Sequence, residues 1–151
     1  MRLPSFKRKK DDKDQKDVFI SHDHKHKDDA MKVYSLLTMA GIDVWLDTHD
    51  IHRESDVIRS MTSGIDKATA VIVCITQQYI EKCNRTENDN CKLELDYAYV
   101  RKGQARLVPV VLDKSCLDTR MWNGKVGAYL ASHLYVDFSD DSKIVANAPQ
   151  L

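Results

Sequence analysis

The residues best placed to do chemistry lie in "NDNCKLELDYA", residues 88 to 98, where Glu94 follows Cys91 by almost one helical turn. At 100° per residue, Cys91, Leu95 and Ala98 form a core-facing stripe, and Leu93, Tyr97 and Val100 form a second apolar flank. Glu94 falls between them, off the solvated face. Charge matching near a helix start would stabilise such an acid by about 0.3–1 kcal/mol. A capping box does not explain it, because the residue three before is Cys91, which cannot cap; Asn88, Asp89 or Asn90 must do so. A half-buried carboxylate at a helix start is a candidate acceptor of hydrogen bonds or stabiliser of positive charge.

A second cluster is "SHDHKHKDD", residues 21 to 29, where His22, His24 and His26 alternate with Asp23 and Lys25. In an extended segment the three imidazoles would share one side, as a divalent metal requires. Flanking lysines and the lack of a fixed fourth ligand favour a solvated loop, so no metal is expected. A phosphate cradle is excluded: the five glycines form neither G-x-G-x-x-G nor a Walker loop. A phospho-accepting receiver needs an acidic cluster after its first strand and an aspartate ending its third. The corresponding ends here read "ISHDH" and "CIT".

Apolar runs alternating with helical patterns position these residues. "DVFIS" (17–21) precedes a helix with Ala30, Val33, Leu37 and Ala40 on one face and Gly41 as its stop. "IDVWLD" (42–47), a polar loop and an amphipathic stretch near 57–67 follow. "TAVIVCIT" (69–76) is continuously apolar, as a strand covered on both faces must be. After the helix at 91–102 come "LVPVVL" (107–112) and "HLYVDF" (133–138). Pro109 favours an edge or a bulge in the fourth run. Five strands with intervening helices predict an α/β fold: a flavodoxin-like, doubly wound, five-stranded parallel sheet of order 2-1-3-4-5, with helices on both faces. Ligands gather at the switch point between strands one and three, where the loops 21–29, 47–55 and 76–90 meet.

Residues 1–16 combine a basic and an acidic block with little to bury, and read as a disordered arm. The folded domain spans 17–140, and 141–151 form a C-terminal tail. The 23 basic and 23 acidic residues cancel, so no net field draws nucleic acid or an anionic membrane. No apolar stretch approaches the roughly 18 residues of a membrane span. The four cysteines include no C-x-x-C pair, and Cys74 lies inside an apolar run. That pattern points to reduced thiols and a cytoplasmic location.

In order and spacing, the motifs resemble those of the Toll/interleukin-1 receptor/resistance (TIR) domain family. "DVFISH" is similar to its first box, "WLD" with "THDIHRES" to its second, and "NCKLELDYA" to its C-x-x-E motif. The resemblance covers about Asp17 to Phe138. It implies the fold above and two possible functions. One is cleavage of the nicotinamide–ribose bond of NAD+, yielding nicotinamide with ADP-ribose or a cyclic isomer. Glu94 then falls at the catalytic glutamate, and Ser21, His22, Asp47, Tyr79, Asn90 and Cys91 line the substrate site. NAD+ is the substrate and no cofactor is needed. The other function is a scaffold that signals by assembling with itself or other TIR domains. The resemblance places self-association in the loop His49, Asp50, Ile51, His52, Arg53, Glu54 and Ser55, and implies activation by assembly. Family enzymes often carry tryptophan where this chain has Asn90, which moves any base stacking to a ring such as Tyr79 or Trp45. The loop also lacks the proline–glycine pair common in animal receptor and adaptor members.

Overall fold

The computed structural model describes residues 16–46 and 54–151. Strands β1 (Lys16–Ser21), β2 (Val44–Leu46), β3 (Ala68–Ile75), β4 (Leu107–Val111) and β5 (Val136–Asp137) form one all-parallel sheet. Its order is β2-β1-β3-β4-β5, as the alternating pattern predicts. The crossovers are carried by helices α1 (Lys27–Met39), α2 (Glu54–Lys67), α3 (Gln77–Cys83), α4 (Asn90–Lys102) and α5 (Lys125–Leu130), with α6 (Asp141–Asn147) after β5. The segment set apart as a C-terminal tail therefore carries a helix.

Two apolar cores lie on the two faces of the sheet. Phe19, Val71 and Val73 meet Met61 and Ile65 of α2, Ile80 of α3, Leu95 of α4 and Leu130 of α5. On the other face, Val18, Ile20 and Ile72 meet Ala30, Val33 and Leu37 of α1, and Ile144 of α6 packs against them. Successive side chains of a strand point to opposite faces, so β3 is apolar at nearly every position and β1 at Val18, Phe19 and Ile20. Helix α1 buries Ala30, Val33 and Leu37 as the spacing predicts, whereas Ala40 is its exposed C-cap and Gly41 turns the chain at φ +80°.

Pro109 lies inside a strand that is interior to the sheet, facing Val73 in register. Strand β5 pairs only from Val110 onward. At the level of Pro109, β4 is thus a local edge on that side, where a missing donor leaves no ladder position unfilled. The fifth strand is correspondingly shorter than the run 133–138.

Strand β2, at the sheet edge, is held by the fit of Trp45 against α2. A Cβ added to Gly64 would lie 2.8 Å from Trp45 Nε1 and 3.0 Å from Phe19 Cδ2. Elsewhere in a helix, Gly→Ala gains about 0.8–1 kcal/mol. Here the overlap reverses the sign: Gly64→Ala is expected to destabilise by about 1–2 kcal/mol, and Gly64→Val by more. Urea denaturation followed by tryptophan fluorescence checks it. Among the described residues, no helix is long and apolar enough to cross a membrane.

Candidate active site

Helix α4 starts at Asp89, whose carboxylate accepts from the Cys91 amide at 2.9 Å as an N-cap. From that start, Cys91, Glu94, Leu95 and Ala98 form the buried face. Glu94 is therefore in the inner stripe itself and retains only 8% of its exposure. Val100, assigned to an apolar flank by its spacing, is instead exposed. Glu94 is the fifth residue of the helix, beyond the first turn where the dipole acts most strongly. Side-chain contacts hold it instead. Ser21, the last residue of β1, donates through Oγ to Glu94 Oε2 at 2.5 Å. Ser21 Oγ is also 2.8 Å from the hydroxyl of Tyr79, which α3 carries.

Immediately after Ser21 the chain turns. The segment expected to run extended instead folds into a 3-10 turn over His24–His26, capped by Asp23. The three imidazoles consequently do not share a side. His24 is exposed, whereas His22 and His26 both attend Asp23. The His22 Nδ1–H donates to the Asp23 carbonyl at 3.0 Å. The His26 ring lies 2.8 Å from Asp23 Oδ1, and the His26 amide donates to the same oxygen at 3.1 Å. Among the described residues, no group of three or more His, Cys, Asp or Glu is placed to hold a metal ion.

Asp23 is fully buried, although its polar neighbours in the sequence point to a solvated loop. Burial pushes its carboxyl up, but hydrogen bonds from Thr76 and His26 and the His26 charge outweigh that and hold it below the usual carboxylate range. Thr76 Oγ1 donates to Asp23 Oδ2 and accepts from the Tyr79 amide at 3.0 Å, capping α3. One threonine thus ties the end of β3 to the end of β1 and sets where Tyr79 begins its turn. The stretch expected as a loop over 76–90 thus carries α3, which Thr76 caps.

The fold brings Ser21, His22, Tyr79, Cys91 and Glu94 together beyond the carboxyl ends of β1 and β3. Asn90, the first residue of α4, is exposed beside them. Tyr79 is fully buried, so its ring offers no face for stacking in this structure. Trp45 packs against the core on Gly64 and Phe19, and its buried indole N–H has no partner among the described residues. Asp47 and the loop positions His49, Asp50, Ile51, His52 and Arg53 lie outside the described residues; Glu54 and Ser55 open α2. An apolar surface groove of about 470 Å³ between α1 and α6 is on the opposite side of the sheet and contains none of these residues.

The Cys91 thiol lies 3.6 Å from the His22 carbonyl oxygen. Burial, followed by the charges of Glu94 and Asp89, pushes its pKa far above the usual thiol value. All four cysteines are buried and free, and burial raises Cys83 to about 12. Cys91 is therefore expected to react with a thiol reagent such as DTNB at least about a hundredfold slower than an exposed cysteine at pH 8. Labelling of the native protein followed by peptide mapping measures this.

In a search of solved structures, the TIR domain of a Toll-related receptor from Hydra magnipapillata superposes with a TM-score of 0.65, at 14% identity over 90% of this chain and 94% of that one. A prokaryotic SEFIR domain superposes with a TM-score of 0.64, at 18% identity over 90% and 95%. At these identities the likeness concerns the fold. Among curated proteins, a probable 2′ cyclic ADP-D-ribose synthase of Methanobrevibacter olleyae is 23% identical over 122 residues, or 80% of this chain. The match spans only 34% of that relative's length. The family model for the TIR domain matches residues 18–151, nearly all of the chain, and this chain therefore belongs to the TIR domain family of signalling proteins.

Proposed function

We propose that this domain cleaves the nicotinamide–ribose bond of NAD+, with Glu94 as the catalytic residue. The observation that carries the reading is a carboxylate buried at the switch point and hydrogen-bonded there by a serine hydroxyl. The relative named as a probable cyclic ADP-ribose synthase supports the same substrate class.

In this reaction the bond between ribose C1′ and the pyridinium nitrogen breaks. Its electron pair moves to the nitrogen, and neutral nicotinamide leaves. The ribose becomes oxocarbenium-like, as in glycoside cleavage. A carboxylate holding the ribose hydroxyls stabilises that developing positive charge. Water, or a hydroxyl of the same molecule, then bonds to C1′ and releases its proton to solvent. Burial of Glu94 removes the screening that water would impose. His22 is half-buried and Asn90 exposed beside Glu94, and we assign both to contacts with the substrate's polar parts.

Assembly with further copies activates the reaction. Purified chain mixed with NAD+ is expected to release nicotinamide, with specific activity rising on concentration. Chromatography of the products across a dilution series tests both points. Self-assembly without NAD+ consumption, even in concentrated or crowded solution, would instead leave a scaffold. That reading draws on the exposed Asn90 where family enzymes often carry an aromatic ring.

A further inference from the structure

The geometry points to Ser21 and Tyr79 as positioning residues that fix the Glu94 carboxylate through a directed pair of hydroxyl hydrogen bonds, Tyr79 to Ser21 to Glu94. This assignment rests on the NAD+ reading for its catalytic consequence, but its geometric basis is independent of it. The direction follows from counting protons. Ser21 has one hydroxyl hydrogen, and it is given to Glu94 Oε2 at 2.5 Å. Towards Tyr79, 2.8 Å away, Ser21 Oγ must then accept, so the tyrosine hydroxyl donates. Burial, foremost, pushes the Tyr79 hydroxyl well above its usual pKa, so it keeps that proton throughout the working range.

The linkage is sealed. Tyr79 is 0% exposed and Ser21 1%, so water cannot substitute for either hydroxyl without rearrangement. Tyr79 is in turn seated by Thr76, which accepts from the Tyr79 amide and donates to Asp23. A rotor that would otherwise turn freely is thereby held with its hydrogen aimed at one carboxylate oxygen. Donation to the charged form also favours ionised Glu94. Among the described residues, the groups that feel the Glu94 charge include Cys91 on its own helix, Tyr79 and Cys83 on α3, and Cys74 on β3. All four are neutral at ordinary pH, because burial raises each of their pKa values.

The test compares wild type, Ser21→Ala and Tyr79→Phe in the full chain by two readouts. Carbon-detected NMR titration of the Glu94 carboxyl is expected to move upward by about one unit in Ser21→Ala and by a smaller amount in Tyr79→Phe. With NAD+, kcat is expected to fall about 10- to 100-fold in Ser21→Ala and about 10-fold in Tyr79→Phe, with KM nearly unchanged. Loss of packing alone would not move the Glu94 titration in the isosteric Tyr79→Phe variant. Wild-type titration of Glu94 in both variants overturns the assignment, whatever happens to activity. If Glu94 shifts as expected but the wild-type chain never releases nicotinamide, the positioning stands and the NAD+ reading falls. If Glu94→Gln abolishes activity while both hydroxyl variants keep wild-type titration and kcat, the positioning falls and the NAD+ reading stands.

Discussion

Glu94→Gln is expected to lower the rate of nicotinamide release by roughly a hundredfold or more while leaving the fold in place. The amide oxygen of glutamine still accepts from Ser21, so the melting transition should stay within about 1 kcal/mol of wild type. What disappears is the negative charge facing the forming oxocarbenium ion. Glu94→Ala should be equally inactive but less stable. It strips the acceptor from the Ser21 hydroxyl, which is 1% exposed and cannot turn to bulk water. That costs about 1–3 kcal/mol, above the roughly 0.3–1 kcal/mol expected of a glutamate that merely matches a helix dipole. The pair of variants therefore separates two roles. Single-turnover product analysis reads the chemistry, and urea unfolding reads the packing. A glutamine variant with wild-type NAD+ cleavage would remove Glu94 from the chemistry altogether.

Asp23→Ala should be among the most destabilising single substitutions near the site, by about 2–3 kcal/mol. Its carboxylate accepts from Thr76 Oγ1, from the His26 amide at 3.1 Å and from the His26 ring at 2.8 Å. Removing it leaves a buried threonine hydroxyl without its acceptor and loosens the joint between β1 and β3. Asp23→Asn retains the shape but loses the charge that the histidine faces, so a smaller loss is expected. The pH dependence has a definite sign. The folded-state pKa of Asp23 lies below its ordinary value of 3.8. The unfolded chain therefore binds the proton first, and the stabilisation from this group is present above pH 4. It is lost as pH falls through the lower folded value. Urea midpoints for wild type and Asp23→Asn should differ above pH 5 and converge toward pH 2. A gap that persists at pH 2 would show that the charge of Asp23 contributes little.

Much of the architecture was legible in single residues and their spacing. The continuous apolar run at 69–76 could only be a strand covered on both faces, and it is β3, buried between two helical layers. The spacing of Ala30, Val33 and Leu37 with Gly41 behind them defined α1 and its end. Glu94 stood out because an acid interrupted an apolar stripe, and local periodicity is enough to reveal such an interruption. Hydrophobic pattern reports on which side of an element a residue lies, and that property depends on neighbours a few positions away.

Which atoms then meet across elements is a different kind of information. Ser21 reaches Tyr79 over 58 positions and Glu94 over 73, and nothing in the spacing of either pair predicts contact. The contacts exist because parallel register sets the end of β1 against Val73 of β3, so that the loops leaving both strands converge. The same convergence turned Asp23 from an apparently solvated loop residue into a buried acceptor. It also folded the alternating histidines into a turn rather than an extended row. Pro109 likewise looked unsuited to an interior strand until the short β5 left that level of β4 unpaired. Local pattern in the sequence defined the five strands, α1, α2, α4 and the one anomalous carboxylate, because those follow from backbone periodicity and the cost of burying polar groups. Helices α3 and α6, by contrast, lie in segments read as loop and tail. Only the tertiary structure decided which hydroxyls orient that carboxylate and which acid braces the switch point, because these depend on how crossover connections bring distant strand ends within hydrogen-bond distance.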